Sequence, residues 1–212
     1  MGGKVFDYKK EEKDLYMPKE EPVLIEVPSM NFLMVDGRGD PNHNPEFQQA
    51  IEVLYGLAYT IKMSPRKGRQ PEGYFDYVIP PLEGLWWVDE GNFSLEQREN
   101  WKWILLIRQP EFVDAELLQW ATGEMRRKKP ELPIEKARLA TFTEGLCVQI
   151  MHRGPYSTEP ETMKKVEAFL LAHGLRDRLA KGGKHHEIYL SDPRKAKPET
   201  MKTVLRHPVE RA

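Results

Sequence analysis

Cysteine is almost missing: Cys147 is the single one in 212 residues, so no disulfide can form within the chain. One thiol fits a reducing compartment, and the expected location is the cytoplasm. Long apolar runs are missing too. None approaches the ~20 residues of a spanning helix, so no membrane is expected as a partner. An excess of one charge is also lacking: 32 Lys and Arg stand against 33 Asp and Glu, for a net charge of -1. Nucleic-acid binders carry a basic excess, so nucleic acid is not an expected partner. The segment 1–21 has lysine and glutamate but no apolar centre, which excludes a secretory signal and reads as an extended or frayed N-terminal arm. Several catalytic signatures are absent as well. There is no Gly-x-Ser-x-Gly elbow. Gly37 and Gly39 lack the third glycine and the βαβ setting of a dinucleotide loop. His185 and His186, adjacent on a strand, point apart and have no second ligand cluster in sequence, so no metal is expected. Cys147 and His152 fall on opposite faces of one strand, which removes a thiol–imidazole pair. No cofactor is implied.

What remains is a chain with 40% apolar and 10% aromatic residues, including five tryptophans, enough for a real core. Residues 22–28 and 31–36 read as strands. Phe47, Ala50, Ile51, Leu54, Leu57, Ala58 and Ile61 form one helical stripe, with Asn44 as cap and Pro45 in the first turn. Residues 74–79 and 84–88 read as strands, 94–100 as a polar turn. In the strand 101–108, Trp101, Trp103, Leu105 and Ile107 share a face. A helix near 112–129 follows. The order then repeats: strands at 138–142 and 146–152, a helix announced by Thr158, Pro160 and Glu161 as a capping box, then strands at 186–190 and 203–207. The fold class expected is α+β. Residues 22–212 are expected to form a single domain of two pseudo-duplicated α+β units (22–110 and 137–212), each reading strand, strand, helix, strand, strand, with antiparallel sheets, helices on one face, and a ligand cavity at the seam.

In the strand ending the repeat, Glu187 and Tyr189 share a face and Ile188 and Leu190 the other. The apolar pair is expected to face the helices, leaving Glu187 either a solvated surface charge or a partly desolvated carboxylate in a concave seam. Trp86 and Trp87 point to opposite faces, and either could stack on flat ligands or simply fill core.

These residues resemble the GyrI-like small-molecule-binding family in its stand-alone form. The likeness runs through 31–42 (Asn-Phe-Leu-Met-Val-Asp-Gly-Arg-Gly-Asp-Pro-Asn), Pro80 to Trp87, Trp101-Lys102-Trp103, Met151 to Tyr156 and His185 to Pro193. The resemblance implies tandem βαββ units around a cavity that binds diverse bulky, aromatic, lipophilic and often cationic molecules, with drug sequestration or resistance as the consequence. It implies Glu187 as the acidic residue and Tyr189, Tyr156, Trp86, Trp87 and Trp103 as wall residues. No helix-turn-helix is present, so a regulator's switch is not implied. Some stand-alone members open the cyclopropane ring of DNA-alkylating cyclopropanoid natural products. On that alternative Glu187 is catalytic and activates water. A gyrase partner, which the family name evokes, finds little support in the near-neutral charge.

Overall fold

The computed structural model describes residues 4–89, 98–192 and 196–212. Two short helices open the chain, α1 (Tyr8–Glu11) and α2 (Lys13–Tyr16). The first half continues with β1 (Val23–Val27), β2 (Met30–Arg38), α3 (Pro45–Lys62), β3 (Leu82–Trp87) and β4 (Lys102–Gln109). After α4 (Ala115–Lys128) come β5 (Arg138–Phe142), β6 (Gly145–Arg153), α5 (Glu159–Ala172), β7 (Leu175–Asp177), β8 (His185–Tyr189) and β9 (Lys202–Arg211). Helix α3 starts as its residue types require: the Asn44 side chain accepts the Glu46 amide at 2.9 Å and Pro45 fills the first turn. Helix α5 lacks the expected capping box. Thr158 instead donates its hydroxyl to the Pro155 carbonyl at 2.9 Å, because residues 156–158 already turn as a 3-10 helix.

The strands form one open antiparallel sheet in the order β1-β6-β9-β8-β3-β4-β2-β5, with β7 beside β9. Two βαββ halves, β2-α3-β3-β4 and β6-α5-β8-β9, meet along β3 and β8, where Gly84 stands opposite Glu187 and Trp86 opposite His185. The edge strands are exchanged. β1 precedes the first half but pairs with β6 of the second, and β5 precedes the second half but pairs with β2 of the first. Residues 74–79 do not join the sheet. Their strand-like character is spent on a bridge between Phe6 and Tyr77.

Alternation along the strands divides the interior in two. One face takes α3 and α4, where Leu54, Leu57 and Ile61 pack on Leu33, Leu105 and Ile107, with Trp101 and Trp103 on this side as the spacing requires. Helix α5 lays Val166 and Leu170 on Ile150 and Leu205 of the same face. The N-terminal segment covers the other face. Tyr8, Leu15 and Tyr16 pack there with Leu85, Leu106, Ile188 and Val204. This corrects the expected frayed arm. Its helices are four residues each, too short to show a helical period, yet each buried large apolar side chain stabilises by ~1.5–3 kcal/mol. Cys147 is fully buried on β6. No helix among the described residues is long and apolar enough to cross a membrane.

Close packing requires glycine at position 37. Gly37 pairs with Trp103 across β2 and β4, and a Cβ there would lie 2.1 Å from the indole. Gly37→Ala should therefore displace the ring and lower stability by roughly 1–3 kcal/mol, read from the urea midpoint. An unchanged midpoint would show that the ring relocates freely.

Candidate functional site

Glu187 lies on the helix-covered face, opposite to the expectation. Ile188 belongs to the core beneath the N-terminal segment, and Tyr189 packs against the core of α3. Both faces of this sheet are covered, so apolar Ile188 did not have to choose the helices. Glu187 is only 6% exposed, so it is not a solvated surface charge.

Three sequence-predicted residues gather around it. The Tyr156 and Tyr189 rings meet edge to face, 6.3 Å between centroids, and Trp86 donates its indole N–H to the Tyr189 hydroxyl at 3.1 Å. Gly84 makes this possible, since a Cβ there would stand 2.6 Å from the Trp86 Nε1 and 2.9 Å from the Tyr189 hydroxyl. Burial, and then the Glu187 charge, push both phenols above their ordinary pKa. The other two predicted wall residues are elsewhere. Trp87 points to the opposite face of β3, where the Lys184 ammonium sits 5.0 Å from its ring. Trp103 shares the face of Glu187 but lies two strands away, 1% exposed beneath the edge of Phe47. The hollow beside Trp103 holds about 10 Å3, room for a water at most.

Two residues were missed. Glu159, in the first turn of α5, is 1% exposed, and its Oε1 lies 3.2 Å from the His185 Nε2. The same Nε2 lies 3.1 Å from the Glu187 Oε1. Burial opposes charge on His185, but the two carboxylates outweigh it and hold its pKa up at about 10. The imidazolium then donates Nδ1–H to the His207 Nε2 at 2.7 Å. His207 stays neutral, its pKa pushed well down by burial and by the His185 and His186 charges. Burial, then Glu187, raises the Glu159 pKa. The only hint in sequence was the i, i+2 spacing of His185 and Glu187; α5 brings Glu159 from far along the chain.

Glu159, His185 and Glu187 offer ligand atoms within 4.8 Å of one another, a grouping that could hold a metal ion. With its pKa held up, His185 carries a proton in place of a free lone pair; its Nε2 hydrogen-bonds Glu187, with the Glu159 Oε1 3.2 Å away. His186 points to the other face, as alternation requires. Its Nε2 lies 2.9 Å from Glu83 and its Nδ1 3.0 Å from Glu144.

Comparison with known proteins follows this geometry. No curated protein matches the sequence. The family model of the GyrI-like small molecule binding domain matches residues 115–210. A Listeria innocua protein described as a hydrolase is 52% identical, with 98% of this chain and 100% of that one covered at a TM-score of 0.90. The chain belongs to the GyrI-like family. An uncharacterized conserved protein of Listeria innocua is 51% identical over 97% of this chain and 100% of that one, with a TM-score of 0.88. The GyrI-like fold is shared by the EcmrR C-terminal domain, at 12% identity, a TM-score of 0.55 and coverage of 91% of this chain and 98% of that one. The family model reaches only the half from α4 to β9, whereas the Listeria proteins align with both halves. Binding of small molecules is thus the general role of this GyrI-like domain.

Proposed function

We propose that this domain binds flat, lipophilic, often cationic aromatic molecules at the β3–β8 seam, with Glu187 as charge partner and Tyr156, Tyr189 and Trp86 as stacking surfaces. The observation that carries this reading is a carboxylate 6% exposed among three aromatic rings. Such a site makes few directional demands, and polyspecificity follows. Glu159 beside it, its pKa raised by burial and then by Glu187, adds a second acidic side chain to the site. The rings fill the seam, so a ligand must move one of them. Tyr156 and Tyr189 are both half-buried and Trp86 is buried; of the two phenols Tyr156 stands on the short turn before α5 rather than in the sheet. Trp87 and Trp103 drop out of the wall. Sequestration in the cytoplasm, with resistance to the bound compound as its outcome, fits this chemistry; nucleic acid, membrane and gyrase play no part in it.

A fluorescence titration tests it. Glu187→Gln should weaken a lipophilic cation by about 1–3 kcal/mol, typical of a charged hydrogen bond, and a neutral analogue less. Equal losses for the two would remove the charge role.

A second reading has its own support. A buried carboxylate hydrogen-bonded to His185, with the raised Glu159 3.2 Å from the same nitrogen, is equipped to take and return a proton, and a relative 52% identical is described as a hydrolase. Glu187 would activate water to open the cyclopropane ring of a cyclopropanoid alkylator. Product beyond one equivalent of protein, lost in Glu187→Gln, would establish it. Stoichiometric binding without product would remove it.

A further inference from the structure

The face of the sheet opposite Glu187 carries a second hollow. A cleft of about 500 Å3 opens where α1 meets the turn at 72–75 and the end of β4, within the size range of small-molecule sites. Its wall is aromatic. Phe6 meets Tyr8 at 4.8 Å and Phe75 at 5.5 Å, and Phe75 meets Phe112 at 5.6 Å, all edge to face. Phe75 lines the cleft and is 39% exposed, so part of this aromatic wall is open to a ligand.

The charges in the cleft are uneven. Among the described residues Arg108 is its one cation, and Glu12 takes it bidentately, with Nη1 to Oε2 at 2.5 Å and Nη2 to Oε1 at 3.0 Å. The guanidinium also sits 4.5 Å from the Tyr8 ring, so its charge is both paired and stacked. Glu72 and Glu111 line the same cleft, exposed and without a salt bridge among the described residues. Two free carboxylates therefore stand over an aromatic wall whose single cation is already neutralised. An anion would meet both carboxylates, and a neutral ring would leave them unused.

We infer that this cleft is a second binding site, separate from Glu187, for a flat aromatic cation held between the Phe75 and Phe112 rings and the Glu72 and Glu111 carboxylates. The ring system stacks on the face of Phe75 and meets Phe112 edge to face, since the two rings stand 86° apart, and the positive charge lies toward the rim. Because the sheet separates the two sites, each can be occupied without the other.

The test uses the whole chain, with ethidium as the flat cation and phenanthridine as its uncharged counterpart at pH 7.5. In a Glu187→Gln chain, where the seam is weakened, ethidium should still bind with a fluorescence rise. Adding Glu72→Gln and Glu111→Gln should weaken that binding at least about fivefold, since two exposed charges are lost, and leave phenanthridine within about twofold. Phe75→Ala should weaken both probes. Loss of all ethidium binding in Glu187→Gln alone would overturn the second site, as would an ethidium affinity indifferent to Glu72 and Glu111. Full ethidium affinity in Glu187→Gln that falls with the two glutamates supports the cleft and counts against the seam, so the two readings fail separately.

Discussion

Arg206→Met should lower stability by roughly 3–5 kcal/mol, the cost of stripping one partner from a buried ion pair. For a chain of this size that is a fall in Tm of about 6–20 °C, at ~2–4 °C per kcal/mol. Arg206 is 1% exposed on β9, facing the N-terminal segment. It donates to the Gln149 Oε1 from both Nε and Nη2, at 3.1 and 3.0 Å, and to the Leu15 carbonyl at 2.7 Å. Its Nη1 lies 3.5 Å from Glu144. Methionine keeps much of the volume but leaves Glu144 to His186 alone and the Leu15 carbonyl unpaired under the fold. The N-terminal segment should loosen as well, and trypsin should cut at Lys9, Lys10 and Lys13 sooner than in the parent. A Tm within about 1 °C of the parent, with unchanged cutting, would show that the network contributes nothing.

The second large effect is alkaline. His185 and His186 are buried with pKa values held up at about 10 and about 9, above the ordinary 6.5, because carboxylates on each side outweigh the cost of burial. A group raised in the folded state contributes stability that is full below 6.5 and is lost as pH climbs through its folded value. Between pH 7 and 8.5 the two imidazoles together should remove roughly 2–4 kcal/mol. Cys147 and the buried Tyr16 and Tyr77, whose burial pushes their pKa values upward, act in the same direction but only from about pH 9, where they ionise in the unfolded chain. His207 has the opposite sign: kept neutral in the fold, it costs stability as pH drops below 6.5. Urea unfolding at several pH values should give a maximum near 6.5. His186→Gln should halve the slope on the alkaline side, whatever it does to absolute stability. A profile flat from pH 7 to 8.5 would contradict the charged imidazoles.

Much of this was legible because it depends on local periodicity. The helix stripe from Phe47 to Ile61, the face shared by Trp101, Trp103, Leu105 and Ile107, and the divergence of His185 from His186 all follow from the pitch of the backbone, and the structure has them. The repeated order of strands and helices gave the duplicated architecture, and the resemblance to the GyrI-like family its βαββ form. The face of Glu187 was inferred from apolar Ile188, and that inference assumed that one side of the sheet stays uncovered. Helices of four residues gave no period to warn that Tyr8, Leu15 and Tyr16 would cover it. Glu159 was invisible for another reason. It reaches His185 only once α5 is laid across the sheet, and a glutamate in the first helical turn reads as a dipole partner. Trp103 illustrates the limit of composition, because its ring is part of the core, and Trp87 turns to the other face beside Lys184.

The crossed placement of β1 and β5 has a further consequence. Each half closes its outer edge with a segment that the chain assigns to the other, which is the arrangement of a domain-swapped homodimer joined into one polypeptide by α4. A fragment cut to the family match at 115–210 would keep β5 without β2 to receive it and leave β6 with a bare edge. Unpaired edges of that kind recruit another chain. The half-length unit is thus built for company, and fusion supplies it within one molecule.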